Sequence, residues 1–111
     1  MNKTKKDSQD QLKDSQDQLN VLRKIDSNPN LSQRDLAAEL GFSLGKLNYC
    51  LGELKTKGFV KMNNFKKSKN KMKYIYVLTP GGIAAKTKLT INFMKRKMKE
   101  YDELKKEIKK E

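Results

Sequence analysis

The sequence predicts an α+β fold, mostly α: a short helix pair, then a two-stranded hairpin, then a long closing helix. Three observations predict it. Residues 31–60 read as two capped helices around a glycine turn, and residues 59–79 alternate apolar and polar side chains on either side of a basic segment. Residues 83–108 then repeat apolar side chains at helical spacing. With 111 residues, 35% of them hydrophobic and no Trp, the chain is one domain with a modest core.

At the N-terminus KDSQDQL occurs twice in tandem, from Lys6 to Leu12 and from Lys13 to Leu19. Seven residues return to nearly the same helix face, so Leu12 and Leu19 align with Leu22 and Ile25. A helix is predicted from about Ser15 to Ser27. Residues 1–14 are expected to form a poorly ordered or frayed extension, because the first copy holds a single apolar side chain. A coiled coil is the alternative for this repeat, and two copies are too few for a solenoid. Asn28, Pro29 and Asn30 break the chain, and Leu31 adds one short extended contact.

Ser32 is a good N-cap, with Asp35 three residues on, so the next helix starts at Gln33 and buries Leu36, Ala37 and Leu40. Gly41 stops it. Ser43 caps a second helix from Leu44 to about Lys57, whose stripe of Leu44, Leu47, Leu51 and Leu54 must face the first, and Gly58 ends it. A small residue at Ala37, a turn at Gly41 and an apolar lock at Leu47 are the grammar of a helix-turn-helix. Taken alone, the same stretch reads equally as a helical hairpin.

The flank decides between the two. FVKMN and KYIYVLT have strand periodicity, and NFKKSKNK between them is polar, lysine-rich and too long for a tight turn. A hairpin with a basic tip directly after the second helix is a wing. Residues 15–79 therefore read as a winged helix-turn-helix domain.

Thr79 caps the last helix and Pro80 takes its first position. Gly81 and Gly82 weaken that turn by about 1 kcal/mol each relative to Ala, which predicts a loose junction. Further along, Thr87, Ile91, Met94, Met98, Tyr101 and Ile108 form a seam interrupted by Lys105 and assisted by Leu104. Some thirty residues make a rod of about 45 Å, longer than one small domain covers. Residues 80–111 thus read as a C-terminal dimerisation helix making a homodimer, with Leu89 and Phe93 left to pack on their own domain.

The net charge of +13 is unevenly placed. Residues 1–60 are close to neutral, residues 61–79 hold six lysines and no acid, and residues 80–111 hold 10 basic against 5 acidic side chains. Such a distribution points to a polyanion, double-stranded DNA, as partner. No apolar run reaches ten residues, so neither a signal peptide nor a membrane span is expected, and the protein is expected in the cytoplasm with no membrane partner.

A single cysteine, Cys50, and no histidine exclude an internal disulfide framework and a Cys/His metal site, and remove the commonest general base. No Gly-rich phosphate loop or acidic pair replaces it, so no enzyme, metal or cofactor is expected. Nothing in the sequence indicates a small-molecule effector.

The second helix is expected in the major groove, with Ser43, Gly45, Lys46, Asn48 and Tyr49 best placed to meet bases. Ser32, Gln33 and Arg34 start the preceding helix, whose free N–H groups suit a phosphate. Lys66, Lys67, Lys69 and Lys71 of the wing would hold the neighbouring backbone. Lysine is a point charge without a fork, so this wing positions more than it specifies.

The stretch from Gln18 to Ile108 resembles the MarR-type winged-helix regulators associated with exopolysaccharide (EPS) gene clusters in bacteria. The segments that carry the resemblance are SLGKLNYCL at Ser43 to Leu51, NFKKSKNK at Asn64 to Lys71, YVLTPGGI at Tyr76 to Ile83 and FMKRKMKEYDELKKEI at Phe93 to Ile108. It implies a sequence-specific transcriptional regulator of a polysaccharide biosynthesis locus, binding as a homodimer. The chain departs from the broader MarR pattern in lacking a predicted long N-terminal dimerisation helix and a wing arginine.

Two other functions remain consistent with the residues. One is a protein-interaction module whose C-terminal helix recruits a partner and whose DNA binding is absent or non-specific. The other is a redox switch at Cys50, although a buried cysteine is more often a small hydrophobe.

Overall fold

The computed structural model describes the backbone of residues 3–68 and 71–109, and the side chains of residues 11–63 and 74–109. Four helices and one hairpin follow in the order α1 (Lys3–Ser27), α2 (Gln33–Leu40), α3 (Leu44–Thr56), β1 (Val60–Ser68), β2 (Lys71–Leu78) and α4 (Pro80–Lys109). The core lies where α1, α2 and α3 meet the base of the hairpin. Val21, Leu22, Ile25, Leu36, Leu47, Leu51, Leu54, Val60 and Tyr76 close on one another there. Each fully buried leucine of that set contributes about 1.5–3 kcal/mol of burial free energy.

The caps fall where the side chains dictate. The Ser32 hydroxyl accepts from the Asp35 N–H at 3.2 Å, and the Ser43 hydroxyl from the Lys46 N–H at 3.1 Å. Gly41 takes a left-handed φ of 72° that lets its N–H and that of Phe42 close the end of α2 on Ala38 and Ala37 carbonyls. Gly58, at φ 76°, does the same after α3.

Four expectations are corrected. The first helix begins at Lys3, not near Ser15, and runs through both copies of the repeat, so the chain does have a long N-terminal helix. Among the described side chains, Leu19, Val21, Leu22 and Ile25 of its second half join the core. Gln18 is buried beside them, and its side-chain Oε1 accepts from the Lys57 ammonium at 3.1 Å.

Leu44 is 47% exposed, so it leaves the α3 stripe, and Cys50 takes the buried place on that face. Leu44 is the first residue of α3, and the buried residues of that helix begin one turn later at Leu47.

Most of the basic segment is strand instead of loop, since β1 runs to Ser68 and β2 starts at Lys71. Pairing continues outward from Val60↔Leu78 through Lys66↔Met72, slips at Lys67, and ends with Ser68↔Lys71. Cross-strand backbone bonds override the low strand preference of a lysine-rich stretch, and the slip is a bulge. At about 3.3 Å per residue the ribbon is roughly 30 Å long.

The junction before α4 is tight, not loose. The Thr79 N–H donates to the Phe59 carbonyl at 3.0 Å, and its hydroxyl donates to the Gly58 carbonyl at 2.5 Å while accepting from the Gly82 N–H at 3.0 Å. Gly82 is buried against the Phe59 backbone, and Leu89 packs on the core about two turns further along the same face. Lys86 pairs with Asp26 of α1. Beyond this the helix leaves the domain, which gives the molecule extents of 67 × 34 × 26 Å.

Candidate nucleic-acid interface

Burial of Leu47, Cys50, Leu51 and Leu54 fixes the rotation of α3. At 100° per residue the opposite face then carries Gly45, Tyr49, Gly52 and Thr56, all exposed, with Asn48 at its edge. A Cβ added at Gly45 or Gly52 would meet nothing within 4 Å. Neither glycine is therefore required by packing inside the chain, although each costs a helix about 1 kcal/mol relative to alanine.

The polar residues named from the sequence do not all point outward. Lys46 turns toward α1, where its ammonium lies 3.4 Å from the Asp17 carboxylate and 4.2 Å from the centre of the Phe42 ring. Asn48 stays exposed, but its Oδ1 accepts from the Gln33 side-chain amide across the turn. A bidentate contact to adenine uses both ends of an Asn amide, and one end is already engaged.

Tyr49 is exposed, and the Asp14 carboxylate, followed by Glu53, holds its phenol above the usual range. Ser32 and Ser43 act as caps, and Arg34 is exposed at the start of α2. Of the wing lysines, Lys66 and Lys67 lie in β1 and Lys71 in β2, while Lys69 lies outside the described residues.

Asp14 and Asp17 are the site residues that sequence reasoning missed. Their spacing on α1 is readable, but their position beside α3 is a tertiary fact. Cys50 is buried, and burial first, then Asp17 and Asp14, push its thiol up. A raised thiol carries little thiolate at neutral pH, which disfavours the redox switch.

On α4, Ile91, Met94, Met98, Tyr101, Leu104 and Ile108 are exposed, reaching 63% at Met98 and 73% at Ile108. Thr87 is exposed too, its hydroxyl turned back to the Ile83 carbonyl at 3.2 Å. No described helix is long and apolar enough to cross a membrane. Among the described residues no group of three or more His, Cys, Asp or Glu is placed to hold a metal ion.

Two helices around a glycine turn, with the second presenting an open face and leading into a long antiparallel ribbon, define a winged helix-turn-helix. Residues 18–61 match the family described as winged helix-turn-helix DNA-binding. Solved structures share the fold. The PcaV transcriptional regulator from Streptomyces coelicolor, in complex with its natural ligand, is 18% identical at TM-score 0.62, over 70% of this chain and 54% of that one.

A MarR family transcription regulator is 22% identical at TM-score 0.64, over 78% of this chain and 56% of its own. FabT from Streptococcus pneumoniae, in complex with DNA, is 19% identical at TM-score 0.57, over 78% and 58%. The chain thus spans little more than half the length of these regulators, and the likeness is one of fold. No curated protein gives a significant sequence match.

Proposed function

We propose that this chain is a sequence-specific transcriptional regulator that binds double-stranded DNA as a homodimer. In this reading α3 lies in the major groove, Arg34 and the wing lysines hold phosphates, and the α4 seam from Thr87 to Ile108 pairs with a second copy. The observation that carries it is the outward face of α3. Gly45 and Gly52 open that face for no internal reason, beside the exposed Tyr49 and Asn48. A glycine on a helix surface permits close backbone approach to an outside body. The resemblance to EPS-associated regulators supports a polysaccharide biosynthesis locus as the target.

Selection from a random duplex library with the purified protein tests both the reading and the dimer. A two-fold symmetric site is expected, its half-site centres about 34–36 Å apart. An isolated half-site would remove the dimer, and no enrichment would remove the DNA reading. Capture of fragments from the source genome that all lie away from polysaccharide genes would remove the locus.

Gly45→Ala and Gly52→Ala separate stability from function. Each is expected to raise stability by up to about 1 kcal/mol in a melt and to weaken specific DNA binding, because the added methyl stands where backbone meets the groove. Unchanged affinity in a titration would show that the groove does not approach α3 at these positions.

A further inference from the structure

We propose that Asp17 of α1 competes with DNA phosphate for Lys46, so that the N-terminal helix limits non-specific binding by the reading helix. The inference rests on the DNA-binding reading above.

The geometry is specific. Lys46 projects from the first turn of α3, next to the open face, where a free ammonium would meet the DNA backbone. Instead it lies 3.4 Å from Asp17 and above the Phe42 ring, its charge shared between two partners of its own chain. The Asp17 side chain is only 15% exposed, so its carboxylate is partly withdrawn from water and depends on the ammonium for compensation.

A second carboxylate, Asp14, lies one turn earlier on the same flank, and its charge is felt at Tyr49. In the sequence the tandem repeat places Asp7, Asp10, Asp14 and Asp17 at spacings of 3, 4 and 3, which is one helical face. Asp14 and Asp17 of that face lie against the reading helix.

A phosphate must therefore displace Asp17 before it gains Lys46. On a random duplex, where binding is almost wholly electrostatic, that competition removes one phosphate contact per protomer. At a correct site, contacts from the open face of α3 remain.

A double-mutant cycle on the full chain tests this, using fluorescent random-sequence duplex over a salt series. Asp17→Asn is expected to tighten non-specific binding by about five-fold and to steepen the slope of log K against log salt by about 0.9 per protomer. In a Lys46→Gln background neither change should appear. Equal gains in both backgrounds would assign the effect to long-range charge and overturn the competition. Weaker binding by Asp17→Asn would mean that Asp17 presents Lys46 to DNA, and would overturn it too.

Should Asp17→Asn fail to fold, amine acylation of the unaltered protein reads the same pairing. Lys46 is expected to react several-fold more slowly than the exposed Lys88, with the gap closing at high salt, and equal rates would overturn the pairing. If the unaltered protein binds no duplex at any salt, the DNA reading itself has failed, whatever the acylation rates.

Discussion

Gly82→Ala is expected to destabilise the fold by about 2–4 kcal/mol, a large part of the stability of a small domain. A Cβ at this position would lie 1.9 Å from the Phe59 carbonyl oxygen and 2.9 Å from its carbon. Both atoms are backbone, and the segment that holds them is tied down. Phe59 accepts from Thr79, donates to Leu54 at 2.9 Å, and precedes the buried Val60. Relief would have to come from lifting α4 off the domain.

Helix preference acts in the opposite direction, since alanine favours a helix over glycine by about 1 kcal/mol, so the sign of the change is informative. The neighbouring Gly81→Ala is the control. Its Cβ would come no nearer than 3.6 Å to any atom, an ordinary contact, and the substitution is expected to be neutral or slightly stabilising. Urea denaturation of the two variants measures the contrast, and a Gly82→Ala protein as stable as its parent would refute the close approach.

Replacing Lys66, Lys67, Lys69 and Lys71 together by alanine is expected to weaken DNA binding by about 10²–10³ at physiological salt. It should also flatten the salt slope by about 3–4 units per protomer, because each neutralised phosphate contributes about 0.9. Sequence preference should survive, since lysines that meet phosphates carry no base information. The ribbon that bears them is paired to Ser68↔Lys71, so the three of them in described strands are displayed on an extended scaffold rather than a loop. Binding isotherms on a selected and a scrambled duplex measure both parts. An unchanged slope would take the wing out of the interface.

What could be read from the residues alone was the local structure. Ser32, Gly41, Ser43, Gly58 and, in capping α4, Thr79 act through atoms within a few positions of themselves, and the structure places each as its chemistry requires. The buried faces of α2 and most of α3 follow from spacing in the same way. What escaped depends on residues far apart in sequence. Leu44 had the right period but the wrong neighbours, and Gly82 looked like a weakness until Phe59 was seen beneath it.

Lys46 and Asp17 are 29 positions apart, and nothing in either neighbourhood announces the pair. The candidate site was therefore legible as a helix with an outward face. It was not legible as a set of free side chains, because polar members such as Lys46, held by Asp17, and Asn48, bonded to Gln33, are engaged within the chain.

The helix that runs unbroken through both copies of KDSQDQL has a property of length. Seven residues advance a helix by about 10.5 Å and turn it by only about 20° from its starting azimuth. Gain or loss of one whole copy would move the start of α1 along its axis while leaving the remaining side chains almost in phase. The amino end of this molecule is thus a graduated arm whose reach can change in whole steps, with the core from Leu19 onward left in register.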